Sequence, residues 1–509
     1  MNAALPLLVA VPILGAALLT VLEGPRWLRR ALLLTIGAGA LAAGTCLVQL
    51  TRNGQVYAHD LGLWRDGVAI PFVVDAFSAL MVTTTALLIL VCSVFAVATG
   101  EADRRLFSPL VLVLSAGVYG ALLTGDLFNL FVFVEVLLVP SYGLLTIAGT
   151  LRGVRGGRTY VTVSLLTSTT FLAGVALVYG VAGTVQLGEL AGAAQESPLV
   201  ASGMGVVLLA LCVKAAVVPV HGWLTRSYTA PSPAVTALFS GLHTKVAIYA
   251  VYRLYAVVFD GDSSLLWVGV LVFSVTMLVG VLGAVGEKST RSILVFHMIS
   301  QIGYILLGVA LFTELGLMAG IFYLVHNMVV KASLFLSTGA AEHTYGTGEL
   351  DRLGGLARRE PLLALAFLGA ALSLAGLPPF SGFVAKLVLI TAAFEDGRWM
   401  AAAVAVVVSL ITLMSMLKIW DGVFWSKDPE DGEDHGPASG SEGAGAPGTV
   451  TAGAPAKPGV RPAVVLPALV LTAVSLGFGL GSQVLLDLSA QAAAHLVDTS
   501  TYVEAVTSR

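Results

Sequence analysis

Five lysines and one glutamate lie inside long apolar stretches of the sequence, where an ionised side chain is costly. The lysines are Lys214, Lys245, Lys331, Lys386 and Lys418, and the glutamate is Glu135 in LFVFVEVLLVPSYGL. A charge at the centre of a bilayer costs roughly 2.5–3.5 kcal/mol on insertion scales, so such residues persist where they face a wet interior and pair with one another. Lys418 lies close to the end of its stretch, and we expect its ammonium group to reach the interface.

Lysine and carboxylate together are suited to proton transfer. Burial favours the neutral amine, so a buried lysine can release a proton near neutral pH, whereas a nearby carboxylate favours the charged form. We therefore interpret Glu135 and Lys214 as a coupled pair. Lys214 precedes Pro219, which frees a backbone carbonyl near Ala215 that could solvate an ammonium group. His221 follows Lys214 by seven positions, which would place both side chains on one helical face.

Histidines in the same stretches add groups that titrate near physiological pH. His243 and Lys245 share one stretch and point to different sides, and His326 and Lys331 share another. His297 begins HMISQIGYILLG. We interpret His221, His243 and His297 as relay positions. An alternative stays open, because His297, His326 and Lys331 could serve only as hydrogen-bonding residues between helices, and Lys245 could simply pair with Glu135.

The composition explains why these residues lie at lipid depth. Of 509 residues, 57% are hydrophobic and 11% are charged, whereas soluble domains carry about a quarter charged residues. A span needs about 20 mostly apolar residues. The sequence predicts an all-α polytopic membrane protein with about fourteen spans: 3–22, 31–50, 71–99, 106–124, 126–149, 159–182, 198–219, 231–258, 264–285, 290–311, 314–340, 361–395, 399–425 and 463–487.

The loops between these spans differ in charge. Basic residues concentrate in the odd-numbered loops, whereas the even-numbered loops hold only Arg52, Arg65 and Arg398. Positive residues stay on the cytoplasmic side, so the pattern predicts that both termini lie outside. Asp75, Asp126 and Arg253 fall near the outer ends of spans, where we expect them at the interface.

Two similar motifs suggest an internal repeat. Residues 219–223 read PVHGW and residues 379–383 read PFSGF, five spans apart, so the second copy is inverted. Inverted repeats with broken helices are typical of transporters. We divide the chain into helices 1–3 (1–105), two inverted five-helix repeats with a broken helix in each (106–258 and 259–425), a disordered cytoplasmic linker rich in Gly, Ala, Pro and acidic residues (426–461), and a last helix with its tail (462–509).

Several function classes lack support in the sequence. It contains no Walker loop and no HExxH motif, and its three cysteines, Cys46, Cys92 and Cys212, have no spacing typical of a metal site or a cluster. The net charge of −3 indicates no nucleic-acid partner. We expect neither cofactor nor metal. The chain is predicted to be a secondary transporter subunit and not an enzyme.

Six motifs in order resemble the proton-conducting antiporter family: FVFVEVLLVPSYGL, VKAAVVPVHGWL, HTKVAIYA, FHMISQIGYILLG, HNMVVKASLFL and LPPFSGFVAKLVL. That family includes the antiporter-like subunits of respiratory complex I and the large subunits of Mrp-type sodium/proton antiporters. The resemblance covers about residues 70 to 425. Within the family the chain is most similar to the D subunits of Mrp antiporters, and Lys386 departs from the complex I subunits that have glutamate there.

The resemblance implies roles for the buried residues. Glu135 and Lys214 would be the coupled pair, Lys245, His326 and Lys331 the central hydrophilic axis, and Lys386 the terminal lysine of the second half. It also implies that the chain works in a prokaryotic plasma membrane with other membrane subunits, exchanging sodium or another monovalent cation for protons.

Two alternatives remain. One is a proton-pumping membrane subunit of complex I or of a membrane-bound hydrogenase. The other is a solute carrier that is active alone.

Overall fold

The structure is a computed structural model that describes residues 4–22, 24–62, 69–426 and 459–507. The α-helices in chain order are α1 (Leu7–Val21), α2 (Arg26–Thr51), α3 (Ala76–Thr99), α4 (Phe107–Leu123), α5 (Leu127–Thr146), α6 (Leu151–Ala182), α7 (Ala193–Glu196), α8 (Pro198–Lys214), α9 (Gly222–Tyr228), α10 (Pro233–Phe259), α11 (Leu266–Gly286), α12 (Thr290–Leu311), α13 (Glu314–Tyr345), α14 (Leu356–Arg359), α15 (Pro361–Ala375), α16 (Ser381–Glu395), α17 (Trp399–Ile419), α18 (Pro462–Leu480), α19 (Ser482–Val497) and α20 (Ser500–Thr507). Two strands, β1 (Tyr57–Leu61) and β2 (Ile70–Val74), form an antiparallel hairpin.

The predicted helical membrane architecture is confirmed. In the described part of the chain, ten helices are long and apolar enough to cross a membrane, and four shorter helices are also apolar. Each predicted span overlaps one of these helices. The count of fourteen spans and the inverted relation of the two repeats stay predictions, as do the domain boundaries. Most of the predicted linker lies outside the described residues.

The hairpin corrects the third predicted span, which begins at residue 71. Residues 70–74 (IPFVV) pair with β1, Ile70 facing Leu61 and Val74 facing Tyr57. Asp75 then caps α3, accepting a hydrogen bond from the backbone N–H of Ser78. An apolar strand directly before an apolar helix looks like one continuous apolar stretch, so composition alone predicts a single span.

The helices that carry titratable residues form the centre of the molecule. The most apolar stretches of α10 and α13 are completely buried, and that of α12 is nearly so, whereas only 22% of the corresponding stretch of α2 is buried. α13 packs against α3, α10, α12, α15, α16, α18 and α19. A helix that is apolar all round is expected in such a position, with its few polar residues facing other helices.

Both proline motifs lie at helix breaks, as predicted. α8 ends at Lys214 and α9 begins at Gly222, with Pro219 between them. α15 ends at Ala375, where Gly376 follows in the left-handed region at φ 87°, and α16 begins at Ser381. Proline lacks an N–H donor and cannot continue the hydrogen-bond ladder, so the carbonyl one turn before it is free for another partner.

Candidate functional site

Glu135 and Lys214 lie side by side, joined by a serine. Lys214 Nζ is 4.0 Å from Glu135 Oε1. Ser168 of α6 donates a hydrogen bond to Glu135 Oε1 and accepts one from Lys214 Nζ at 3.4 Å. The Lys214 side chain is 10% exposed and that of Glu135 31%. The arrangement is a carboxylate–hydroxyl–amine bridge between α5, α6 and α8.

A small cavity lies between Lys214 and His243. Lys214, His243, Tyr160 and Ser164 all line it, so the amine and the imidazole share one space. His243 Nε2 is 2.6 Å from the hydroxyl of Ser141, one turn and a half beyond Glu135 on α5. The first group of titratable residues therefore runs from Glu135 through Lys214 to His243.

Lys245 and Lys331 lie deeper and are completely buried. Lys245 Nζ donates to the hydroxyl of Thr244 at 3.1 Å, and Lys331 Nζ donates to the carbonyl of Leu294 at 3.2 Å. Lys245 lies on α10, Lys331 on α13 and Lys386 on α16. Since α13 packs against both α10 and α16, the three lysines lie on one set of contacting helices.

Lys386 is held at the second helix break. Its Nζ donates to the carbonyl of Ala375 at 2.8 Å and to Ser409 Oγ at 2.9 Å. Ala375 lies one turn before Pro379, so its carbonyl is the one that the proline frees. The sequence predicted a freed carbonyl as a partner for Lys214; the structure shows this arrangement at Lys386, while Lys214 binds Ser168.

Two further imidazoles complete the second group. His297 Nε2 is 2.9 Å from Ser415 Oγ of α17, and His326 Nδ1 is 2.7 Å from Ser381 Oγ at the start of α16. Both histidines are fully buried. His326 shares α13 with Lys331, and its partner Ser381 shares α16 with Lys386.

The expectation that His221 shares a helical face with Lys214 is wrong, because α8 ends at Lys214 and the chain is not helical again until Gly222. A rotation of 100° per residue does not apply across the break. Lys418 Nζ donates hydrogen bonds to the carbonyls of Val285 and Glu287 at the end of α11.

Sequence reasoning missed the hydroxyl partners. Each buried titratable group described above except Lys331 contacts a serine or threonine hydroxyl, and these partners come mostly from other helices: Ser168, Ser141, Thr244, Ser415, Ser381 and Ser409. The sequence offered no signal for them, because serine and threonine occur throughout the apolar stretches.

A buried ion pair was also missed. Arg253 Nη2 lies 2.6 Å from Asp75 Oδ2, and both side chains are almost completely buried within the protein. Their depth at the membrane interface stays a prediction. The guanidinium group stacks over the ring of Tyr502 of α20 at 4.6 Å. Asp126 is also buried and caps α5 through the backbone N–H of Asn129.

Comparison with known proteins identifies the family. Residues 124–412 match the model described as NADH:quinone oxidoreductase/Mrp antiporter, transmembrane. The chain belongs to this family. The D-type subunit of a Na(+)/H(+) antiporter from Alkalihalophilus pseudofirmus is 36% identical, and the alignment covers 92% of this chain and 93% of that protein.

Solved structures agree with this assignment. A chain of the Mrp complex from Dietzia sp. DQ12-45-1b is 55% identical with a TM-score of 0.93, and 99% of each chain is covered. A chain of respiratory complex I from Thermus thermophilus is 26% identical with a TM-score of 0.74, covering 94% of this chain and 98% of that one. This family member is a multi-pass membrane protein. Among the described residues, no group of three or more His, Cys, Asp or Glu side chains is arranged to hold a metal ion.

Proposed function

We propose that this chain is the proton-translocating subunit of a multi-subunit monovalent cation/proton antiporter in the plasma membrane of a bacterium. Its similarity to a protein named for Na(+)/H(+) antiport and to a chain of an Mrp complex supports this proposal. Sodium is the proposed cation, and other membrane subunits are the proposed partners. The charge bias of the loops supports an orientation with both termini outside.

The observation that carries the mechanism is the bridge between Glu135 and Lys214. A carboxylate beside an amine favours the ammonium form, so separation or protonation of Glu135 would release the proton of Lys214. The shared cavity leads that proton toward His243, whose helix α10 also carries Lys245. Lys331, His326 and Lys386 then continue the path, with His297 as a side branch.

The test uses everted vesicles from cells that express all subunits of the complex, with a pH-sensitive dye. We expect Lys214→Ala and Glu135→Ala to lower sodium-dependent proton movement more than tenfold while the complex still assembles. Lys418→Ala is the matched control, because among the described residues this lysine donates hydrogen bonds only to two carbonyls near the end of a helix. Near-normal antiport in either site variant would rule out the assigned pair.

A proton-pumping subunit of a redox enzyme is the second candidate, since the chain also matches complex I along most of its length. The two differ in what drives transport. The antiporter moves protons when sodium alone is added, whereas a redox-driven subunit needs a reductant. The higher identity to the Mrp chain favours the antiporter.

A further inference from the structure

Three serines from three helices meet beside His326. Ser475 Oγ of α18 lies 2.8 Å from Ser373 Oγ of α15 and 3.0 Å from Ser381 Oγ of α16, and Ser373 and Ser381 are 3.4 Å apart. We call these three residues the serine ring. All are at most 1% exposed. His326 joins the ring through Nδ1, which is 2.7 Å from Ser381 Oγ.

The free side of His326 faces away from the ring. Its Nε2 is buried and makes no hydrogen bond within the described part of the chain. The charged side chains that act on this imidazole are Lys331 and Lys386, and the phenol ring of Tyr323 packs edge-on against it at 5.7 Å between centroids. A polar atom with that burial and those neighbours is placed to exchange a proton.

A ring of hydroxyls can serve both protonation states of an imidazole. Each serine hydroxyl has one proton to donate and two lone pairs that accept, and it rotates freely about its C–O bond. When His326 Nδ1 carries a proton, Ser381 accepts a hydrogen bond from Nδ1–H and donates one to Ser475. When Nδ1 is unprotonated, Ser381 donates a hydrogen bond to Nδ1 and accepts one from Ser475. Only hydrogens move between the two arrangements.

We propose that Ser475 is a positioning residue for His326: it completes the serine ring that holds the imidazole by Nδ1, so that Nε2 can take up and release the transported proton. This inference rests on the proposed function. It adds α18 to the transport machinery, although that helix lies beyond residues 124–412 that match the family. α18 is anchored in place because Ser333 of α13 bonds both the carbonyl of Ala468 and the hydroxyl of Thr472.

The test compares Ser475→Ala with Ser475→Thr and Ser489→Ala in the whole complex, in everted vesicles over a range of pH. One buried hydrogen bond corresponds to a loss of roughly fivefold, so we expect Ser475→Ala to slow antiport by about that factor. Its pH of half-maximal activity should move to lower pH by about half a unit to one unit, since the doubly protonated imidazole loses the acceptor behind Ser381.

The two comparison variants separate this role from packing. Ser475→Thr keeps the hydroxyl and should retain most of the activity and the original pH profile. Ser489→Ala removes an equally buried hydroxyl whose one hydrogen bond within the described residues goes to the carbonyl of Leu485 in its own helix, and it should change neither the activity nor the pH profile. If Ser475→Ala prevents assembly, Ser373→Ala probes the same ring from α15 with the same expected shift.

The outcomes distinguish failure of the proposed function from failure of the role assigned to Ser475. An inactive wild-type complex would overturn the proposed function. An active wild type together with a Ser475→Ala profile identical to that of Ser489→Ala would overturn the role of Ser475 alone, and the same holds for Ser373→Ala where that variant is used.

Discussion

Replacing Ser168 by alanine isolates the bridge between Glu135 and Lys214 without removing either charge. The two charged atoms are 4.0 Å apart. At an effective dielectric constant of about 20, this separation corresponds to about 4 kcal/mol of attraction, and the partial exposure of Glu135 screens it further. The direct ion pair survives the substitution, so Ser168→Ala should not abolish coupling.

What is lost is the hydroxyl between them. A hydrogen bond to a charged group contributes about 1.5–3 kcal/mol. Water can reach the exposed side of Glu135 and replace part of this contribution, so we take the lower end of that range. About 1.5 kcal/mol corresponds to roughly a tenfold lower rate.

The assay is the initial rate of sodium-driven proton release in everted vesicles that contain the whole complex. Ser168→Thr keeps the hydroxyl and should remain close to wild type. Ser202→Ala on α8 is the control, because in the part of the chain that the structure describes this exposed hydroxyl bonds only the carbonyl of Pro198 in its own helix. A wild-type rate in Ser168→Ala would show that the serine does not link the pair. A loss as complete as that of Lys214→Ala would refute the bridging argument, since the remaining ion pair should still operate.

Two further predictions concern stability. A Cβ at Gly382 would lie 1.7 Å from the carbonyl oxygen of Ser373, whereas a Cβ at Gly222, which occupies the same motif position in the first break, would meet open space. Gly382→Ala should therefore lower the melting temperature of the complex, measured by fluorescence-detected gel filtration. Gly222→Ala is the control and should leave it unchanged. Burial raises the pKa of Glu101, which accepts a hydrogen bond from Ser232, above its ordinary value of 4.5. The contribution of Glu101 to stability should therefore fall as the pH rises from about 4.5 through the raised pKa, and the melting temperature of Glu101→Gln should depend less on pH than that of the wild type. An equal dependence of the two melting temperatures on pH would contradict this.

The titratable residues of the site could be found from the sequence because a charge stands out in an apolar stretch. The cost of a charge at lipid depth identified Lys245 and Lys331, and both lie fully buried at the centre of the structure. The hydroxyl partners could not be found in this way. Ser475 and Ser489 are both buried serines in the last 40 residues or so of the sequence. Their roles differ because α18 packs against α13 and α16, which the sequence does not show.

Ion pairs between distant segments also could not be predicted from the sequence. Asp75 and Arg253 are far apart in the sequence, and the position of each near the end of a span predicts a charge at the interface. In the structure the carboxylate and the guanidinium neutralise one another, which permits their burial. The helix breaks, by contrast, were predictable from Pro219 and Pro379, since the effect of proline on a helix is local.

The two breaks hold their lysines by different means, and this difference suggests how the halves are controlled. Lys214 has a carboxylate partner, whereas Lys386 is bound by the carbonyl of Ala375 and the hydroxyl of Ser409, and in the part of the chain that the structure describes it has no ion pair with an acid. A neutral dipole stabilises an ammonium group but does not change with the transport cycle. A neighbouring lysine does change, because a like charge disfavours protonation. We therefore expect the first half to respond to movement or protonation of its carboxylate, and the second half to respond to the arrival of a proton at Lys331.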